Sequence, residues 1–173
     1  PINPAAGLHP KNLPDLMKYF FFTLISLLLA LPAALAQDSI RYRVIFIGDA
    51  GEMNDRQRLD LQHAANEILP GRTTVVYLGD NVYPRGMGLP GTEDAEKGKA
   101  ILRSQFQPMR AKGAPVYFVP GNHDWDKMGP EGLAKIRAQG DFLNEQGDSL
   151  LKLIPANGCP DPVEVPLSDS LTL

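Results

Sequence analysis

Three short polar blocks combine glycine with groups that bind hard cations: Gly48-Asp49-Ala50-Gly51, Gly79-Asp80-Asn81-Val82-Tyr83 and Gly121-Asn122-His123-Asp124. Carboxylate, amide and phenol oxygens favour Mg, Mn or Fe, and an imidazole widens the choice to Zn. A carboxylate shared by two ions is the nucleus of a two-metal site, which lowers the pKa of a bound water and clamps a phosphoryl group for in-line attack. Without cations the same aspartates would repel an anionic phosphate ester. The metal reading therefore makes the charges consistent.

Asp49 and Asn122 are more than seventy positions apart, so the fold must bring the blocks together. Each block follows an apolar run: Arg41 to Ile47 (RYRVIFI), Thr73 to Leu78 (TTVVYL) and Pro115 to Val119 (PVYFV). Such runs fit strands buried on both faces of a parallel sheet. Between the first two, Leu61, Ala64, Ala65, Ile68 and Leu69 form one stripe of an amphipathic helix, with Asn54 and Gln57 as its capping box. Further helices are expected over about 94–106 and 130–145, the latter opened by Pro130. The alternation predicts an α/β layered domain with right-handed crossovers, which sets all strand carboxyl ends on one edge. Asp49, Asp80 and Asn122 should converge there, with the glycines permitting the sharp turns that aim them.

GDAG, GDNVY and GNHD, in that order, resemble the first three motif blocks of the calcineurin-like metallophosphoesterases, and the tyrosine of GDNVY is most similar to the purple acid phosphatase branch. The resemblance covers about 43–125 and implies a layered β-sandwich flanked by helices. It implies that Asp49 binds a first metal, Asp80 bridges two, Tyr83 binds the first as a phenolate and Asn122 binds the second. A phenolate favours ferric iron, so the expected pair is Fe with Fe, Zn or Mn. His123 would contact the phosphate or protonate the leaving oxygen, with Asp124 orienting its ring. The family completes its site with a downstream Gly-His-x-His block, whereas the only histidines here are His9, His63 and His123. On that reading the chain is the front part of a larger domain, and alone it would be inactive.

The surrounding positions have plainer readings. Trp125 is a pocket wall or core residue, and Arg85 is a solvated loop arginine rather than a phosphate ligand. Gly86, Gly88 and Gly91 with Pro84 and Pro90 suggest a long mobile loop at the site mouth. Four prolines fall between Pro155 and Pro166, and Leu167 to Leu173 (LSDSLTL) reads as the start of another strand.

Composition bounds the rest. The 173 residues are 43% hydrophobic and 21% charged with a net charge of -3, which excludes a coiled coil, a disulfide-dense mini-protein and a charged disordered chain. No basic surplus exists to neutralise phosphates, which argues against nucleic-acid binding. Met17-Lys18, the apolar run Phe20 to Leu31 and the small residues Ala34-Leu35-Ala36 read as a signal peptide over 17–36, and residues 1–16 as an upstream extension. A retained membrane span is the weaker reading, since Pro32 interrupts the run. Cys159 is either a solitary thiol or paired outside this chain. The leading expectation is an exported dinuclear metallophosphatase hydrolysing phosphomonoesters with a metal-activated water. The alternatives are a phosphodiesterase of the same family and a non-catalytic fragment.

Overall fold

The computed structural model describes residues 17–25, 40–156, 158 and 161–173. Residues 1–16, Cys159 and the greater part of the expected signal segment lie outside the described residues. The described stretch 17–25 is helical and exposed, and among the described residues no helix is long and apolar enough to cross a membrane. It falls in one compact unit, Pro1–Arg41, and everything below concerns the other, Tyr42–Leu173.

The second unit alternates as the sequence predicts: β1 (Arg43–Ile47), α1 (Asp55–Asn66), β2 (Thr73–Tyr77), α2 (Glu93–Arg110), β3 (Val116–Phe118), α3 (Gly132–Glu145) and β4 (Leu151–Leu153). The strands form one parallel sheet in the order β1-β2-β3-β4, in register Ile45↔Val75, Val75↔Val116 and Val116↔Leu151. Because every crossover steps the same way across the sheet with the same hand, all three helices must lie on one face. Side-chain alternation agrees with this. Val75, Tyr77, Val116, Phe118, Leu151 and Leu153 share a core with Leu61 and Ala65 of α1, Leu102, Phe106 and Met109 of α2, and Ile136, Phe142 and Leu143 of α3. At its centre Tyr77 stacks on Phe118 with 4.5 Å between ring centroids and donates its hydroxyl to the Gln105 carbonyl at 2.7 Å.

The opposite face is only partly covered. Phe46 and Leu78 are more than half exposed there, and with Val76, Val119 and Ile154 they line an apolar groove of about 510 Å³ shared with Pro162, Val163, Val165 and Leu173. The chain end forms a small antiparallel hairpin, β5 (Pro166–Ser168) with β6 (Leu171–Thr172), where the sequence suggests the start of one strand. A second full sheet is not among the described residues.

Local chemistry accounts for the helix starts. Asn54 caps α1 by accepting the Gln57 amide at 2.8 Å, and Thr92 caps α2 by accepting the Ala95 amide at 3.2 Å. The Gln57 side chain does not complete a capping box. It donates instead to the Ala50 carbonyl at 3.0 Å and to Ser104 at 3.1 Å, fastening the first polar block to α2. Helix α1 ends at Asn66, so Ile68 and Leu69 continue its apolar stripe from beyond the helix.

Candidate metal centre

The three blocks meet at the carboxyl edge of β1, β2 and β3. Asp49 and Asp80 themselves occupy the left-handed region, at φ 56 and 54°, where the sequence assigns the turn to the glycines. Aspartate tolerates that region better than most residues, at some cost that the surrounding hydrogen bonds must offset. Gly121 is needed for contact: a Cβ there would come within 2.4 Å of both the Asp80 amide nitrogen and its carboxylate. The second and third loops therefore touch backbone to backbone.

The Tyr83 hydroxyl lies 2.7 Å from Asp49 Oδ1 and 3.1 Å from Asp80 Oδ2. A phenol carries one hydrogen, so it can satisfy only one of these carboxylates at a time. The two carboxylates push the phenol pKa far above its ordinary value, the Asp49 hydrogen bond first, with burial and Asp80 adding to it. Three oxygens with two negative charges thus converge on one place, a donor set suited to a hard cation. Among the described residues no three His, Cys, Asp or Glu side chains form a metal-binding group, so in this cluster the phenol would have to serve as the third donor. Asn122 is exposed beside Gly121, and its side chain makes no hydrogen bond among the described residues.

His123 borders the cluster. Its amide donates to Asp80 Oδ1 at 3.1 Å, its ring packs edge-on to Tyr83 with centroids 4.6 Å apart, and Nε2 lies 4.0 Å from Asp80 Oδ2. Nδ1 lies 2.7 Å from the Pro84 carbonyl. A carbonyl only accepts, so Nδ1 carries the hydrogen and Nε2 is the nitrogen left facing the site.

Asp124 does not orient that ring, contrary to expectation. It is fully buried, and its carboxylate accepts the amides of Asn81 (3.0 and 3.1 Å), Val82 (3.0 Å) and Gly121 (2.8 Å) together with the Asn81 side chain (3.2 Å). Burial pushes its carboxyl up to about 6, against the opposing pull of these N–H groups. Asp124 is the knot tying the second loop to the third. Gln105 does the same for the first and second, donating to the carbonyls of Ala50 (3.1 Å) and Asn81 (2.7 Å).

Arg85 is a solvated loop arginine as expected, but its Nε also donates to Asp126 at 2.8 Å. The glycine-rich loop is anchored by the buried Met87 and Gly88, while Pro84, Arg85, Pro90 and Gly91 stay exposed. Trp125 is half-buried between the core and the apolar groove, as a wall. Sequence reasoning missed Gln105, Asp126 and Lys135. Only Gln105 carried a signal, as an amide on the apolar side of α2 between Leu102 and Met109.

A parallel sheet whose strand-end loops gather two aspartates, a tyrosine and a histidine is an architecture on which a hard-cation site can be built. A family model described as calcineurin-like phosphoesterase matches residues 42–159, more than half of the chain, and the chain belongs to that family. No curated protein and no solved structure matches it. The chemistry associated with the family is phosphoester hydrolysis.

Proposed function

We propose that the full-length protein to which this chain belongs is an exported phosphatase of the purple acid phosphatase branch, hydrolysing phosphomonoesters at a pair of metal ions. Asp49, Tyr83, Asp80 and Asn122 would hold the pair, with Asp80 between the two ions and iron favoured beside the phenol. The observation that carries the reading is the approach of one phenol to two carboxylates at 2.7 and 3.1 Å, a conflict of charge that a cation resolves. Export is supported by the charged, apolar and small-residue succession over 17–36. Bound there, metal ions would supply a water nucleophile at neutral pH and neutralise phosphoryl oxygens.

The protein's own groups do the rest. Held by Pro84, the His123 ring presents Nε2 to an ester seated over Asp80, where the protonated ring can donate to the leaving oxygen. The left-handed turns at Asp49 and Asp80 fix both carboxylates before any ligand arrives, so no reorganisation is required of them.

The test is hydrolysis of an aryl phosphate by the full-length protein supplied with Fe, Zn or Mn, beside an aryl diester. Faster monoester than diester turnover, lowered roughly 10²-fold or more in His123→Gln, is expected. Equal turnover in His123→Gln would remove the proton-donor role, and diester preference would overturn the monoesterase reading.

A further inference from the structure

Beside the metal centre lies a cluster that the proposed reaction does not use. Asp126, Lys127 and Met128 follow the GNHD block with φ of 56, 52 and 64°, three successive non-glycine residues in the left-handed region. Such a run is costly and persists only where its surroundings over-determine it. Here the turn is held from inside by amides: Asp126 N–H to the His123 carbonyl at 3.0 Å and Lys127 N–H to the Asn122 carbonyl at 2.9 Å. From outside it is held mainly through one carboxylate, with Arg85 Nη2 also donating to the Asp126 carbonyl at 3.3 Å. Asp126, whose side chain is 5% exposed, accepts Arg85 Nε at 2.8 Å and Lys135 Nζ at 3.0 Å on the same oxygen.

Both cations lead back to the histidine. Arg85 directly follows Pro84, whose carbonyl takes the His123 Nδ1 hydrogen, and Lys135 from α3 also donates to the Arg85 carbonyl at 2.9 Å. Gly86, at φ 74°, closes the contact, because a Cβ there would stand 2.5 Å from the Asp124 carbonyl. Loop, turn and helix thus share one ionic joint, and the acceptor that fixes the His123 tautomer sits at its edge.

We propose that Asp126 is a positioning residue: with Arg85 and Lys135 it holds the Pro84 carbonyl against His123 Nδ1, which keeps Nε2 as the nitrogen that meets the ester. The chemical meaning of this role rests on the phosphatase reading, but its structural content does not. An ion pair on the far side of a loop that only braced the fold would leave the imidazole tautomer alone.

The experiment uses the ¹⁵N-labelled chain and long-range ¹H–¹⁵N correlation at a pH where imidazoles are neutral. His123→Gln assigns the His123 signal among three histidines, and exposed His63 serves as the unperturbed control. The unaltered chain is expected to show His123 with hydrogen on Nδ1. Asp126→Ala should convert it to a mixture dominated by the Nε2–H form, leave His63 unchanged, and, in the full-length protein, lower kcat on an aryl phosphate roughly 10- to 100-fold with KM within about twofold. Should Asp126→Ala fail to give a native circular dichroism spectrum, Arg85→Met carries the same expectations, since the Arg85 side chain is more than half exposed. Retention of a single Nδ1–H tautomer in a folded Asp126→Ala or Arg85→Met chain overturns the proposal. Absence of turnover in the full-length protein, with the tautomer change present, overturns the phosphatase reading and leaves the positioning role standing.

Discussion

Four aspartates occupy the loops that close β1, β2 and β3, and they fall into two pairs with opposite surroundings. Asp124 and Asp126 are buried and answered: the first by three backbone amides and a side-chain amide, the second by an arginine and a lysine. Asp49 and Asp80 face one another across a single phenol, whose lone hydrogen cannot serve both. Burying charge is affordable where partners are supplied, and leaving charge unanswered makes sense where a partner is to be bound. The satisfied pair builds the scaffold, and the pair that shares one phenol, with only the His123 amide added on Asp80, is where the proposed cation would sit.

The comparison breaks most visibly at Asp124. Asp124→Ala leaves the amides of Asn81, Val82 and Gly121 without an acceptor in a dry interior, and should cost about 3 kcal/mol or more in urea unfolding. By contrast, Asp49→Asn should leave metal-free stability nearly unchanged or raise it, because it removes half of a like-charge conflict. A loss at Asp49 as large as that at Asp124 would erase the distinction between the pairs.

Tyr83→Phe sharpens the same contrast with a smaller effect. The ring keeps its packing against His123 while the hydroxyl is lost, so metal affinity measured by calorimetry should fall roughly tenfold or more, with little change in the unfolding midpoint. The smallest effect is in the pH response. Arg85 and Lys135 hold the Asp126 carboxyl down at about 2, so its contribution is complete above the ordinary carboxylate range and fades as the pH falls from about 4 towards 2. Asp124 has the opposite sign: with its carboxyl raised to about 6, the folded state takes up the extra proton, and acidification from about 6 to 4 favours folding. Subtracting the pH–stability curve of Asp126→Asn from that of the unaltered chain should expose the first dependence, and Asp124→Asn the second.

The layout of the site could be read from the sequence because its logic is local. An apolar run followed by Gly-Asp is visible in one dimension, and three such units in series imply a parallel sheet with a common edge. The convergence of Asp49, Asp80, Tyr83 and His123 at one edge was legible for that reason. The roles of Asp124 and Asp126 were not, because a carboxylate beside a histidine in sequence need not touch its ring. The Asp124 side chain turns inward to amides of a loop some forty residues earlier, and Asp126 is paired across 41 residues with Arg85. Strand β4 was missed because Leu151-Lys152-Leu153 is three residues long, and Lys152, on the face away from the helices, breaks the apolar run.

The most direct test of the central claim is calorimetric titration of the chain with Mn²⁺ or Zn²⁺, repeated with Asp80→Asn. That substitution preserves shape and an oxygen that can accept the His123 amide. Saturable binding that weakens at least tenfold in Asp80→Asn is the predicted result. Binding of equal affinity in both proteins would contradict the assignment of this cluster as the metal centre.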